Sequence, residues 1–144
     1  MARVSTYLNF NNKTEEAFHF YESVFNTKIN FLQRFSETPP QPGQEKMTKA
    51  DLNGIMHVSL PIVGEHMLLG TDAPESMGFK LVSGNNVSIS LEPDSKEQGQ
   101  QIFNSLAKDG KVTMPFEHMF WGAYFGSCID KYGVQWMINF PDKK

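Results

Sequence analysis

Four pairs of apolar residues recur along this chain at a single spacing. Leu8 and Ile89, Phe10 and Leu91, Tyr21 and Ile102, and Phe25 and Leu106 are each 81 residues apart (8 to 89, 10 to 91, 21 to 102, 25 to 106). The elements around them recur as well. Val4, Leu8 and Phe10 open an alternating strand. Asn12 is then placed to cap a helix, with Glu15 at the third helical position. Ala17, Tyr21, Val24 and Phe25 form one apolar face of that helix. A strand over Lys28 to Phe35 follows, then a hairpin of Ile55 to Val63 and His66 to Asp72. In the second half, Asn86 to Leu91 alternates, with Val87, Ile89 and Leu91 on one face. Asp94 or Ser95 caps a second helix, which carries Ile102, Phe103, Leu106 and Ala107 and is closed by Gly110. Strands over Lys111 to His118, Trp121 to Ile129 and Val134 to Phe140 end the chain. Ser36 to Ala50 and Ala73 to Gly84 read as loops. The expected fold is α+β: two βαβββ modules, each with its helix on one face of its sheet. The expected organisation is one domain over 1–144, with a first module at about 1–72, a connecting loop at 73–84 and a second module at about 85–144.

Composition narrows the function classes. The net charge is −3, and 20% of the residues are charged. Basic residues are scattered apart from the terminal Lys143-Lys144, so no nucleic-acid surface is expected. The single cysteine, Cys128, excludes an internal disulfide and fits a reducing compartment. MARVSTYLNF has no apolar run behind a basic start, so no signal peptide is expected. No apolar run approaches the roughly 20 residues that span a bilayer. The expectation is a cytoplasmic protein without membrane partners.

Each helix covers one sheet face, and the side chains left on the other face are mostly neutral and polar. They are Ser5, Tyr7 and Asn9 on the first strand, Asn86, Ser88 and Ser90 on the fifth, and Gln135, Met137 and Asn139 on the last. A dry core does not select such groups, because buried polar atoms need partners. A fully solvated face would usually carry more Lys and Glu. A cavity for water or a polar ligand fits this pattern, and a plain solvated face is the alternative.

These residues carry a family resemblance. Tyr7-Leu8-Asn9-Phe10, Glu16-Ala17, Phe20-Tyr21, Met56-His57 and Leu69-Gly70-Thr71-Asp72 occur in order. Trp121-Gly122 and Asp130-Lys131-Tyr132-Gly133-Val134-Gln135-Trp136 follow. The chain resembles the vicinal-oxygen-chelate superfamily of glyoxalase-like, bleomycin-resistance-like and extradiol dioxygenase proteins. Within it the chain resembles the PhnB-like branch, labelled 3-demethylubiquinone-9 3-methyltransferase domain. The resemblance implies paired βαβββ modules forming a curved mixed sheet around a ligand cavity, commonly in a homodimer. Methyl transfer from S-adenosylmethionine usually goes with a Gly-rich turn in a parallel sheet, and no such turn occurs here.

The resemblance also implies positions for a divalent metal. They fall on Ser5 or Thr6, on Asn86, on Met137 and near Leu68 or Gly70, none of which is a strong ligand for a first-row metal. The expectation is therefore a small-molecule-binding protein with no metal or other cofactor. The expected ligand-binding residues are Tyr7, Asn9, His57, Asp72, Asn86, Ser88, Trp121, Gln135, Met137 and Asn139. Trp121 is read as a pocket wall that stacks on a planar ligand. The alternative is a lyase, isomerase or dioxygenase-like enzyme with a divalent metal at His57 and His118. If there is catalysis, His57 with Asp72 is the candidate base and orienting carboxylate, and Glu117 is a second candidate base. Cys128, in the apolar run AYFGSCI, reads as a buried inert thiol.

Overall fold

A computed structural model of the chain describes residues 2–142, so Lys143-Lys144 lies outside the described residues. The chain divides into two compact units, Met1–Val82 and Ser83–Lys144. The first runs β1 (Thr6–Phe10), α1 (Thr14–Phe25), β2 (Phe31–Arg34), a one-turn α2 (Lys49–Leu52), β3 (Ile55–Pro61) and β4 (Met67–Asp72). The second runs β5 (Ile89–Leu91), α3 (Lys96–Ala107), β6 (Lys111–Met119), β7 (Ala123–Ile129) and β8 (Gln135–Pro141). The repeated βαβββ order is therefore present. Each unit is a four-stranded mixed sheet, ordered β1-β4-β3-β2 and β5-β8-β7-β6. In each sheet the first strand of the unit lies parallel to the last, and the other pairs are antiparallel.

One helix packs on one face of each sheet. In the first unit Ala17, Phe18 and Tyr21 of α1 are fully buried with Val58, Leu60 and Leu68. A β-carbon on Gly70 would stand 2.5 Å from the Phe18 ring, so glycine lets α1 lie close to β4. Gly126 has the same role under α3, where an added β-carbon would stand 2.8 Å from the Phe103 ring. Trp136, Ile138, Leu106 and Ile102 fill that second core.

Several local expectations needed tertiary contacts to correct them. Asn12 does not cap α1. It takes a left-handed φ of 60°, and Lys13 occupies the cap position without a side-chain bond. The second helix does carry a local cap, the Ser95 hydroxyl accepting from the Gln98 N–H. The segment before β3 is not wholly loop: α2 forms there with a Thr48–Asp51 capping box, and Met47 is buried. β5 spans three residues, so Asn86 and Ser88 precede it and Val87 is exposed rather than on its packing face.

Candidate functional site

Strand register assigns each side chain in the first unit to a face. Gln33 is opposite His57 and Phe31 opposite Ser59. Ser59 is opposite Leu69, which is also opposite Tyr7, and Thr71 is opposite Asn9. Directly opposed residues share a face. Tyr7, Asn9, Phe31, Gln33, His57, Ser59, Leu69 and Thr71 therefore all lie on the face turned away from α1.

Hydrogen bonding divides the polar groups of this face into two sets. The Thr71 hydroxyl donates to the Met56 carbonyl at 2.7 Å, and the Ser59 hydroxyl bonds the Asn30 side chain. Among the described residues, the side chains of Tyr7, Asn9, Gln33 and His57 have no hydrogen-bond partner. His57 sits between two aromatic rings, its centroid 5.9 Å from Tyr7 and 5.9 Å from Phe31. Tyr7 and Phe31 are each 48% exposed. The result is a half-open aromatic tier with four polar groups available for bonding. Phe31 and Gln33 were missed in the sequence because both alternating sets of this strand, Phe31 with Gln33 and Leu32 with Arg34, mix an apolar and a polar residue.

Asp72, expected beside His57, is elsewhere. It is opposite Phe10, one residue beyond Thr71 and so on the helix-covered face, and it is 5% exposed. Its Oδ1 accepts from the backbone N–H of Lys13 and Thr14, each at 3.1 Å, and from the Thr14 hydroxyl at 2.7 Å. Its Oδ2 accepts from the Ile55 N–H at 2.8 Å. Asp72 therefore caps α1 from another strand and satisfies N–H groups that the helix itself leaves unpaired. The pairing of His57 as base with Asp72 as orienting carboxylate does not occur, because the two occupy opposite faces of one sheet.

A separate cleft of about 270 Å³ opens at the start of α1, lined among others by Asn12, Glu15, Asn53 and Asp72. Arg34 bonds two of these lining residues, Glu15 at 2.7 Å and the Asn53 carbonyl at 2.9 Å. The hydrogen bond from Arg34 holds the Glu15 carboxyl below the usual carboxylate range. These groups already satisfy one another.

In the second unit the face away from α3 carries Ser90 opposite Met137, Met137 opposite Ser127, and Asn139 opposite Phe125. Glu117 is also opposite Phe125 and is exposed. Gln135 donates to the Val87 carbonyl at 2.8 Å, and Ser127 bonds the Thr113 hydroxyl at 2.6 Å. Trp121 lies in the β6–β7 turn, 50% exposed, its ring edge-on to Phe125 at 5.9 Å. Its neighbour Phe120 is 96% exposed. His118 is opposite Tyr124, on the helix side of the sheet, and bonds Asp142 at 2.8 Å. It therefore does not join Met137 and Asn139.

The positions implied for a metal carry weak donors or none. Leu68 and Gly70 face α1, Asn86 lies before β5, and Met137 offers a thioether between two hydroxyl-bearing residues. Among the described residues, no three His, Cys, Asp or Glu side chains converge to hold an ion. Cys128 is buried, and burial, with Asp130 nearby, pushes its thiol up to about 11, so the nucleophilic thiolate is suppressed.

Comparisons with known proteins agree with this architecture. Residues 2–139 match the family model described as 3-demethylubiquinone-9 3-methyltransferase. Protein PA1353 from Pseudomonas aeruginosa is 31% identical, with a TM-score of 0.84 over 99% of this chain and 100% of its own. A putative 3-demethylubiquinone-9 3-methyltransferase, PhnB protein, from Bacillus cereus is 26% identical, with a TM-score of 0.75 over 96% and 99% of the two chains. A glyoxalase/bleomycin resistance protein/dioxygenase family enzyme from Burkholderia phytofirmans is 14% identical and shares the fold, with a TM-score of 0.60 over 94% and 97%. The chain, with its two βαβββ sheets, belongs to the 3-demethylubiquinone-9 3-methyltransferase family and shares the fold of a glyoxalase/bleomycin resistance protein/dioxygenase family enzyme.

Proposed function

We propose that this chain is a metal-independent small-molecule-binding protein whose ligand lies on the open face of its first sheet. The reading rests on one observation: Tyr7, Asn9, Gln33 and His57 hold unused hydrogen-bonding groups beside exposed rings on a face without carboxylates. Such a surface gives a flat ligand apolar contact and a few orienting bonds. Ser90, Met137, Asn139 and Trp121 give the second sheet a similar but smaller set. Methyl transfer, although named in the family description, has little support, because both sheets are short and mixed rather than the parallel sheet that binds S-adenosylmethionine elsewhere.

Native mass spectrometry of freshly purified protein tests this. The expected result is a bound organic compound, or one gained from a compound library, that is lost on Tyr7→Ala. Stoichiometric zinc, iron or manganese that disappears in His57→Ala would overturn the metal-independent reading and favour the enzyme.

The protein is further read as a cytoplasmic homodimer. Its lone cysteine suits a reducing compartment. Edge strand β6 exposes Val112 and Met114, large apolar groups that a second subunit would cover. Light scattering is expected to give twice the chain mass, and a monomer at micromolar concentration rejects the dimer.

A further inference from the structure

Resting on the reading of the first sheet's open face as a binding surface, we propose that it takes a planar aromatic molecule bearing an anionic group. The aromatic part lies on the Tyr7 and Phe31 rings, and the anion meets the His57 imidazole. The two rings flank His57 at equal centroid distances of 5.9 Å, tilted 40° and 50° to it. A flat ring system laid on this tier contacts all three side chains, which a compact aliphatic group cannot do.

The sign of the ligand's charge follows from what surrounds His57. The side chains facing it are Phe31 and Gln33 from β2, Leu69 and Thr71 from β4, and Tyr7 and Asn9 from β1. None of these side chains is a carboxylate, an amine or a guanidinium. The unit's ionised neighbours are committed on the other side: Arg34 to Glu15 of α1, and Asp72 to the start of that helix. An incoming anion therefore meets no carboxylate. A cation would find no acid to pair with and would be repelled by a protonated His57. The imidazole has no hydrogen-bond partner among the described residues, so it can donate to an anion without breaking an existing bond. An anionic group is a good acceptor for that donor, and the bond strengthens when the ring carries its second proton.

Three probes separate the contributions: 2-naphthoate, its neutral amide 2-naphthamide, and cyclohexanecarboxylate, titrated calorimetrically into the full chain. 2-Naphthoate is expected to bind tightest. Its affinity should fall about tenfold between pH 5.5 and 7.5, because an anion bonds an imidazolium more strongly than a neutral imidazole. The amide should bind more weakly and without pH dependence, and the aliphatic acid several-fold more weakly still. His57→Gln should abolish the pH dependence, while Phe31→Ala should weaken 2-naphthoate at every pH. Amide NMR spectra of each variant report whether the fold is kept. Equal binding of amide and acid at pH 5.5, or a pH dependence that survives His57→Gln, overturns the proposal. If other compounds bind in a Tyr7-dependent way and 2-naphthoate does not, the ligand class is wrong and the binding reading stands. If nothing binds on this face, both fall.

Discussion

Asp72→Ala is expected to destabilise the protein by about 3 kcal/mol, because it removes one helix cap and leaves several buried or half-buried donors unpaired. The carboxylate serves the N–H groups of Lys13, Thr14 and Ile55 and the Thr14 hydroxyl at once. Thr14 is itself fully buried, so water cannot readily take the place of the lost acceptor. Asp72→Asn should recover part of the loss. Its amide oxygen can still accept from the helix start, while its NH2 group then faces the Ile55 N–H. Urea denaturation at pH 7 measures both variants. A loss below about 0.5 kcal/mol for Asp72→Ala, the size of an ordinary surface change, would mean that the cap contributes little. Ligand binding by the folded fraction should be unaffected, since Asp72 lies on the face away from His57.

A second buried carboxylate should have an effect of similar size. Asp130 is 3% exposed and Trp136 is 1% exposed. Asp130 Oδ2 accepts from the Trp136 indole N–H at 2.8 Å. Its Oδ1 accepts from the backbone N–H groups of Tyr132 and Val134, at 2.8 and 3.1 Å. These bonds shape the β7–β8 turn, in which Gly133 adopts a φ of 90°. Asp130→Ala is expected to cost about 3 kcal/mol, since the indole N–H loses its acceptor inside the core. In a Trp136→Phe background the same change should cost about 1–2 kcal/mol less, because there is then no indole N–H to strand. Equal costs in the two backgrounds would show that the side-chain bond contributes nothing and that the turn alone matters.

These two residues also show how far the sequence could be read. Asp130-Lys131-Tyr132-Gly133 is a turn signature, and the turn forms where the pattern puts it. The packing residues were equally legible, because alternation and helical periodicity report burial directly: Trp136 and Ile138 take one face of β8 while Met137 and Asn139 take the other. Tyr7, Asn9 and His57 were legible as candidates and share one face. Asp72 was misread for a physical reason. Its partners at the helix start are 58 and 59 positions earlier in the chain, and a carboxylate closing a strand looks the same in sequence whether it turns toward the helix or toward the open face. A shift of one residue reverses that choice, and the parallel pairing with β1 decides it. Asn12 failed through the same contact, since a helix start capped from a neighbouring strand needs no cap of its own.

The sequence by itself determined the repeated βαβββ order, the apolar faces of both helices and the strands that pack on them. Those features depend on periods of two and 3.6 residues, which the chain carries locally. Tertiary structure alone decided that Asp72 is part of the helix and not of the site, that His118 stands behind its sheet, and that Phe31 and Gln33 join Tyr7 and His57. Each of these outcomes depends on pairing register between strands distant in sequence, and only the assembled sheet sets that register.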